Sequence, residues 1–223
     1  ALPSSIFLNL KANGSTDRMN VDELYVSAMN TRFWMNGIVR NVMDPDNAYA
    51  DLEQGLVTSA GDLQSMVLPD SLNLDIPEEI RLVSDIKGSL NDLTADVNVN
   101  TSLGDLITNI EISENEKFAV KLDIDQLRLG SILQNDSLYG RLTAQMTADG
   151  QYFSLEKMAT EMKLTVQEVG FNQYKYEGLN LTGSLNSEVF DGSLSYKDDN
   201  LNVAFDGNLS IDPDDPVYKF NLN

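Results

Sequence analysis

The chain has 223 residues, enough for one large β domain or two smaller ones, and its 15 Lys and Arg against 35 Asp and Glu give a formal charge of -20. That balance argues against nucleic acid, whose binding rests on cations neutralising phosphates, and nearly as strongly against docking on an anionic membrane through a basic patch. There is no cysteine and no histidine, which removes disulfides, thiolate nucleophiles, His-based triads and His-ligated zinc.

In chain order, Ser5 to Ala12 alternates, with Ile6, Leu8 and Leu10 in one register, and Asn13-Gly14-Ser15 reads as a turn. Leu24 to Met29 and Arg32 to Val39 are strand candidates rich in β-branched and aromatic residues, and Asp44-Pro45-Asp46-Asn47 is a turn. Within Tyr49 to Met66, the stretch Ala60–Met66 loses the alternation and is expected to form a short helical turn. The prolines at 69 and 77 deny a central strand, so a seam is expected near 67–79 within one continuous body spanning 1–223.

Strand pattern resumes at Ile80 and runs through Arg81–Ile86, Leu93–Val99, Leu106–Ile112 and Phe118–Ile124. Leu129–Leu133 reads as a second helical turn. Leu142–Ala148, Met162–Val169 and Tyr174–Leu185 are strands, Asp212–Pro216 is a turn, and Val217–Leu222 opens a last strand. No stretch sustains a 3.6-residue period, so the expected fold is all-β, with 16 to 20 short strands at the ~8–12-residue spacing of meandering sheets. No run approaches the ~20 apolar residues that span a bilayer, and no signal peptide is recognisable. The abrupt start at Ala1-Leu2-Pro3 and the end inside a strand pattern read as a segment of a longer protein.

A unit, apolar-x-Gly-x-Leu, recurs at Leu181/Gly183/Leu185, Phe190/Gly192/Leu194 and Phe205/Gly207/Leu209. Further copies stand at Ile86/Gly88/Leu90, Leu138/Gly140/Leu142 and, more loosely, Met35/Gly37/Val39. Glycine in the apolar register removes side-chain volume and lets a strand bend, so the unit describes a curved apolar surface and contains no catalytic group.

Other candidate sites are weaker. Asp44/Asp46/Asn47 and Asp212/Asp214/Asp215 are hard-cation ligand types, yet neither has the glycine and distal glutamate of a calcium loop, and both read as solvated turns. No carboxylate pair stands out among the acids for acid–base work on sugars. Trp34 and Tyr174/Tyr176 are of types that stack on ligands, but strand aromatics more commonly pack against neighbours. Glycosylation-type triplets at Asn100, Asn135, Asn180 and Asn208 are assigned no function.

Several phrases, taken in order, carry a family resemblance. They are Arg32-Phe-Trp-Met-Asn-Gly-Ile-Val39 with the Asp44-Pro45 turn, and Ile86-Lys-Gly-Ser-Leu90 after the proline seam. Leu127-Arg-Leu-Gly-Ser-Ile-Leu133 then precedes Leu138-Tyr-Gly-Arg-Leu142, and Phe171-Asn-Gln-Tyr174 through Gly183 leads into Phe190-Asp-Gly192 and Asp199-Asn-Leu201. This order resembles the TamB branch of the AsmA-like, repeating β-groove lipid-transfer proteins, in its Bacteroidetes form.

The resemblance implies an elongated, curled meandering sheet, a β-taco groove with an apolar inner face. It implies a periplasmic segment of a bridge that carries phospholipid acyl chains toward the outer membrane, in a protein anchored in the inner membrane of a Gram-negative bacterium. An outer-membrane β-barrel protein would be met through parts of the chain not present here. Residues expected to line the groove are Ile6, Leu8, Leu10, Leu24, Val26, Phe33, Met35, Val120, Leu122, Ile124, Leu181, Leu185, Phe190, Leu194, Val203, Phe205 and Leu209. No catalysis, metal or cofactor is called for. Two other readings stay open on the pattern alone. One is a scaffold that helps outer-membrane barrels assemble through exposed edge strands, which would also allow edge-to-edge self-association of the segment. The other is a structural sandwich whose two inner faces interdigitate and exclude ligand.

Overall fold

The structure, a computed structural model, describes residues 5–66, 76–197, 202–210 and 218–222. It is one antiparallel sheet of fourteen strands in which spatial order equals chain order. The strands are β1 (Ile6–Gly14), β2 (Arg18–Ala28), β3 (Thr31–Arg40), β4 (Tyr49–Ser59), β5 (Glu79–Ser89), β6 (Asp92–Thr101) and β7 (Gly104–Ser113). They continue as β8 (Lys117–Arg128), β9 (Tyr139–Gln151), β10 (Ala159–Phe171), β11 (Tyr174–Asn186), β12 (Val189–Lys197), β13 (Asn202–Ser210) and β14 (Tyr218–Leu222). Two helical turns interrupt the meander, α1 (Ala60–Met66) and α2 (Leu129–Ile132), both where alternation lapses, and Pro45–Asn47 forms a 3-10 turn. Thirteen spacings of ~4.8 Å make the sheet roughly 62 Å across its strands. Among the described residues no helix is long and apolar enough to cross a membrane.

The strands are fewer and longer than the 16 to 20 that strict alternation suggests; β1 to β13 each hold nine to thirteen residues. The difference comes from bulges. Val21 and Leu24 stand three residues apart, yet they face Ala12 and Leu10 on β1 and Gly37 and Met35 on β3, which are two apart. The same three-residue step carries Ile124 to Leu127 opposite Ala144 and Leu142, and Val166 to Val169 opposite the same two residues. Each bulge takes in one extra residue, so both apolar side chains stay on one face and the strand runs on.

The seam expected near 67–79 falls partly outside the described residues. On either side of it β4 and β5 pair along their whole length, from Tyr49 opposite Ser89 to Ser59 opposite Glu79. Hydrogen bonding is therefore continuous there. The turn expected at Asp212–Pro216 lies outside the described residues.

α1 is fixed to one rim of the sheet by a carboxylate. Asp62, 1% exposed, accepts from the Asn30 backbone N–H at 2.9 Å and from the Thr31 hydroxyl at 2.7 Å. The Thr58 hydroxyl reaches Thr31 Oγ1 at 2.8 Å, and the Asp62 N–H donates to Ser59 Oγ at 3.3 Å, the capping bond of the helix start. The β2–β3 hairpin, the end of β4 and α1 are thereby joined through one side chain. The Thr31 hydroxyl, helped by Asn30 and Ser59 and opposed by burial, holds the Asp62 carboxyl below its usual value of 3.8. A depressed carboxyl stabilises the fold above its unfolded pKa and loses that contribution as pH falls through the folded pKa. Asp62→Ala is expected to lower the melting temperature at pH 7, with the gap to wild type closing as the pH is taken below 3.8. Thermal melts of both chains across that range check this; a gap independent of pH would show that the charge contributes nothing.

Candidate functional site

Directly opposed residues of an antiparallel pair share a face, so the register can be followed from strand to strand. One ladder runs Leu8–Val26–Phe33–Leu56–Leu82–Val99–Leu106–Ile124–Ala144–Val166–Leu179. Beside it runs Leu10–Leu24–Met35–Gln54–Ser84–Val97–Thr108–Leu122–Met146–Leu164–Leu181–Leu194–Phe205. A third passes from Leu52 through Ile86, Ala95, Ile110, Val120, Ala148 and Met162 to Gly183, Gly192 and Gly207. A fourth passes from Leu93 through Ile112, Phe118, Gly150 and Thr160 to Leu185, Phe190 and Leu209. No residue in these ladders is charged.

All seventeen residues expected to line a groove lie on this one face. Two of them stand outside the four ladders: Val203 faces Tyr196 one step beyond the Leu194–Phe205 pair, and Ile6 lies one step beyond Leu8. None of the seventeen is buried: Ile6, Leu8 and Leu10 are 65%, 62% and 57% exposed, Phe205 is also exposed, and the others are half-buried. Where the face is best shielded, exposure alternates with side-chain direction. On β6, Leu93, Val97 and Val99 are half-buried and Ala95 is buried, whereas Asp92, Thr94, Asp96, Asn98 and Asn100 are exposed. Among the described apolar residues only Val21, Ala95, Leu103, Ala144, Ala148, Val166 and Tyr196 are buried. A sandwich would bury its large aliphatic side chains between two sheets; here the sheet is a single curled layer, and no second sheet covers the aliphatic face among the described residues.

The opposite face carries the charge. Asp85 stands between Glu53 and Asp96 in one cross-strand row, and Lys87 meets Asp51 at 3.6 Å. Lys175 bridges Glu168 and Glu177 at 2.8 Å each; their hydrogen bonds, Glu168 first, push its pKa up. These pairs are exposed and screened by solvent, so they add little to stability. Among the described residues no group of three or more acids converges as a metal site. At the Asp44 turn the Asn47 side chain donates to Asp44 Oδ2 at 2.8 Å, while Asp212, Asp214 and Asp215 lie outside the described residues. Trp34 belongs to the charged face, its ring lying where a Cβ on Gly55 would fall. Tyr176 meets Tyr174 and Tyr196 edge to face, with ring centroids 4.8 and 5.4 Å apart.

The glycine units divide into two kinds, which the shared pattern does not reveal. Gly37 and Gly88 have φ of 132° and 130°, and a Cβ there would strike the backbone oxygen of Asp51 or Asp92, so they serve local backbone geometry. Leu90, the last member of its unit, is exposed in the β5–β6 turn, and Gly140 lies against Gly170. The other three units do line up. Gly183, Gly192 and Gly207 oppose one another on β11, β12 and β13, flanked by Leu181–Leu194–Phe205 on one side and Leu185–Phe190–Leu209 on the other. The missing side chains leave a cleft of about 300 Å³ lined by Leu181, Phe190, Gly192, Leu194, Phe205, Gly207 and Leu209.

The class this defines is an open, single-layer antiparallel β-meander with one continuous apolar face. Comparison of the chain with protein-family models, with curated proteins and with solved structures returned no match.

An open face and a closed core respond differently to an introduced charge. Leu122→Asp and Val203→Asp are expected to cost about 1–2 kcal/mol each, since the carboxylate stays in contact with water. Ala144, 1% exposed, is the internal control: Ala144→Asp buries an unpaired carboxylate and is expected to cost several kcal/mol. Urea denaturation of the three variants measures the difference, and costs as large at Leu122 and Val203 as at Ala144 would mean that the face is covered.

Proposed function

We propose that the apolar face is a trough for lipid acyl chains, and that this chain is a segment of a lipid-transfer bridge. The observation that supports it best is the continuity of the face. Two cross-strand ladders free of charged side chains run from β1 to β11 and β13, two more join them from β4 and β6 onward, and the face is left half-open to water. Burying a methylene there gains ~0.8 kcal/mol, and neighbouring positions offer similar contacts, so a chain can shift along the trough with little change in energy. Headgroups project past the rim into water. Residues act by shape and hydrophobicity, and no bond is made or broken. The resemblance to the TamB branch extends the proposal to phospholipid moving across the periplasm toward the outer membrane, with an outer-membrane β-barrel protein as the downstream partner.

A second reading, a strand-pairing scaffold, has its own support. β1 is an edge strand carrying Ile6, Leu8 and Leu10 on one face and Phe7, also exposed, on the other. Such an edge is a template for another strand.

Mass spectrometry of an organic extract of the purified chain separates the two. The trough predicts co-purifying phospholipid that is lost in Leu122→Asp. A chain that binds no lipid under any loading condition yet pairs with barrel strands through β1 would favour the scaffold and end the lipid reading.

A further inference from the structure

At one corner the apolar face ends in tyrosines. Val169 on β10 faces Leu142 on β9 and Tyr176 on β11, one row beyond Ala144, Val166 and Leu179. One row further out, Phe171 faces Tyr139 on one side and Tyr174 on the other. The rings of Tyr139 and Phe171 have centroids 5.7 Å apart, those of Tyr174 and Tyr176 4.8 Å, and those of Tyr176 and Tyr196 5.4 Å. Four of the chain's eight tyrosines therefore gather at one end of β9 to β12. They are graded across the rim: Tyr196 is buried, while Phe171 and Tyr174 are 42% and 44% exposed.

The corner is held in place by its backbone. Asn172 and Gln173 make the two-residue turn between β10 and β11 with φ of 50° and 65°. The Asn172 N–H donates to the Leu138 carbonyl oxygen at 2.7 Å, which ties that turn to β9. Tyrosine suits such a boundary, because its ring lies on apolar surface while its hydroxyl reaches water. The faces of these rings are electronegative and attract cations, quaternary ammonium above all. The cations at this end of β8, β9 and β11 are engaged by their own neighbours. Lys175 lies between Glu168 and Glu177, Arg141 donates to Gln126 Oε1 at 2.6 Å, and Arg128 donates to the Ser102 carbonyl oxygen at 2.6 Å. Lys197 follows Tyr196 on β12 and so belongs to the opposite face. In a chain of net charge -20, an anionic group is repelled by the molecule as a whole, and an ammonium group is drawn to it.

We propose that this corner seats the ammonium end of a zwitterionic phospholipid whose acyl chain lies on the apolar face. The ammonium group rests against the rings of Tyr174 and Tyr176, and the headgroup leaves over the β10–β11 turn. The site rests on the reading of the face as a lipid trough. It adds the headgroup class held most tightly and the rim at which that headgroup lies.

The test uses the full chain with 13C-labelled tyrosine rings and methionine methyls. It is titrated with dodecanoyl lysophosphatidylcholine and with dodecanoyl lysophosphatidylglycerol, which has the same chain and an anionic headgroup. Salt at ~1 M shortens the screening length to ~3 Å and so removes the repulsion of the molecule as a whole. Saturable movement of the Tyr174 and Tyr176 signals is expected with the choline lipid, and ring currents are expected to shift its N-methyl protons upfield. The choline lipid is expected to bind about two- to fivefold more tightly than the glycerol lipid, the worth of one exposed cation–π contact. Changing both residues to phenylalanine, Tyr174→Phe with Tyr176→Phe, should keep that preference, because the ring faces remain. Tyr174→Leu with Tyr176→Leu should abolish it. Equal affinity of the two lipids for the wild-type chain would overturn the headgroup class. Unshifted N-methyl protons, a preference that survives the leucine pair, or movement at Tyr152 with Tyr174 and Tyr176 unmoved would overturn the corner and leave the trough standing. If neither the tyrosines nor Met35, Met146 and Met162 respond to either lipid, the trough reading itself fails.

Discussion

Everything in this molecule depends on register. A strand's side chains alternate with period two, so a slip of one residue at any junction would send a row of leucines to the charged face and a row of aspartates into the trough. Thirteen junctions hold the same parity. Part of the guard is local, because most connections are short hairpins that leave little room for slippage. Part is chemical: a slip would bring Asp and Glu of the acidic face against Leu and Val, at a cost well above the ~0.2–1 kcal/mol of a single favourable cross-strand pair.

The bulges belong to the same constraint. At Val21/Leu24, Ile124/Leu127 and Val166/Val169, where two residues of the apolar face stand three apart, the chain absorbs the odd residue and restores parity. Between these residues lie Asp22-Glu23, Asp125-Gln126 and Gln167-Glu168. Bulges also increase twist and bend the strand, so the devices that preserve the apolar face also help to curl it. The sheet thus shields its aliphatic side without a second layer. The acidic back, in a chain of net charge -20, discourages two copies from stacking back to back.

Much of this was legible in the sequence. Clean alternation located β6 and β8 within a few residues, and its lapse located α1 and α2. Because period two fixes the face as well as the strand, the seventeen expected residues lie on one side. The strand count was not legible, because a three-residue apolar step looks like a strand end until the partner strand shows that pairing continues. Nor did the repeated glycine unit disclose that Gly37 and Gly88 serve backbone geometry while Gly183, Gly192 and Gly207 stack into a floor; that distinction depends on which strands become neighbours. Asp62 and Thr160 are ordinary residues in the sequence, and their burial emerges only once α1 and the β9–β11 register are in place.

The central claim is that the aliphatic face meets water when empty and hydrocarbon when loaded. The chain has no cysteine, so single cysteines report accessibility without background. Leu122→Cys and Leu181→Cys probe the apolar face, and Lys121→Cys probes the charged one; the measurement is the rate of reaction with a neutral, water-soluble maleimide, before and after loading with phospholipid. The account predicts that in the lipid-stripped chain all three react at similar rates, and that phospholipid slows the two apolar-face positions alone. Protection of Leu122→Cys and Leu181→Cys in the stripped chain, or rates that phospholipid leaves unchanged, would contradict it.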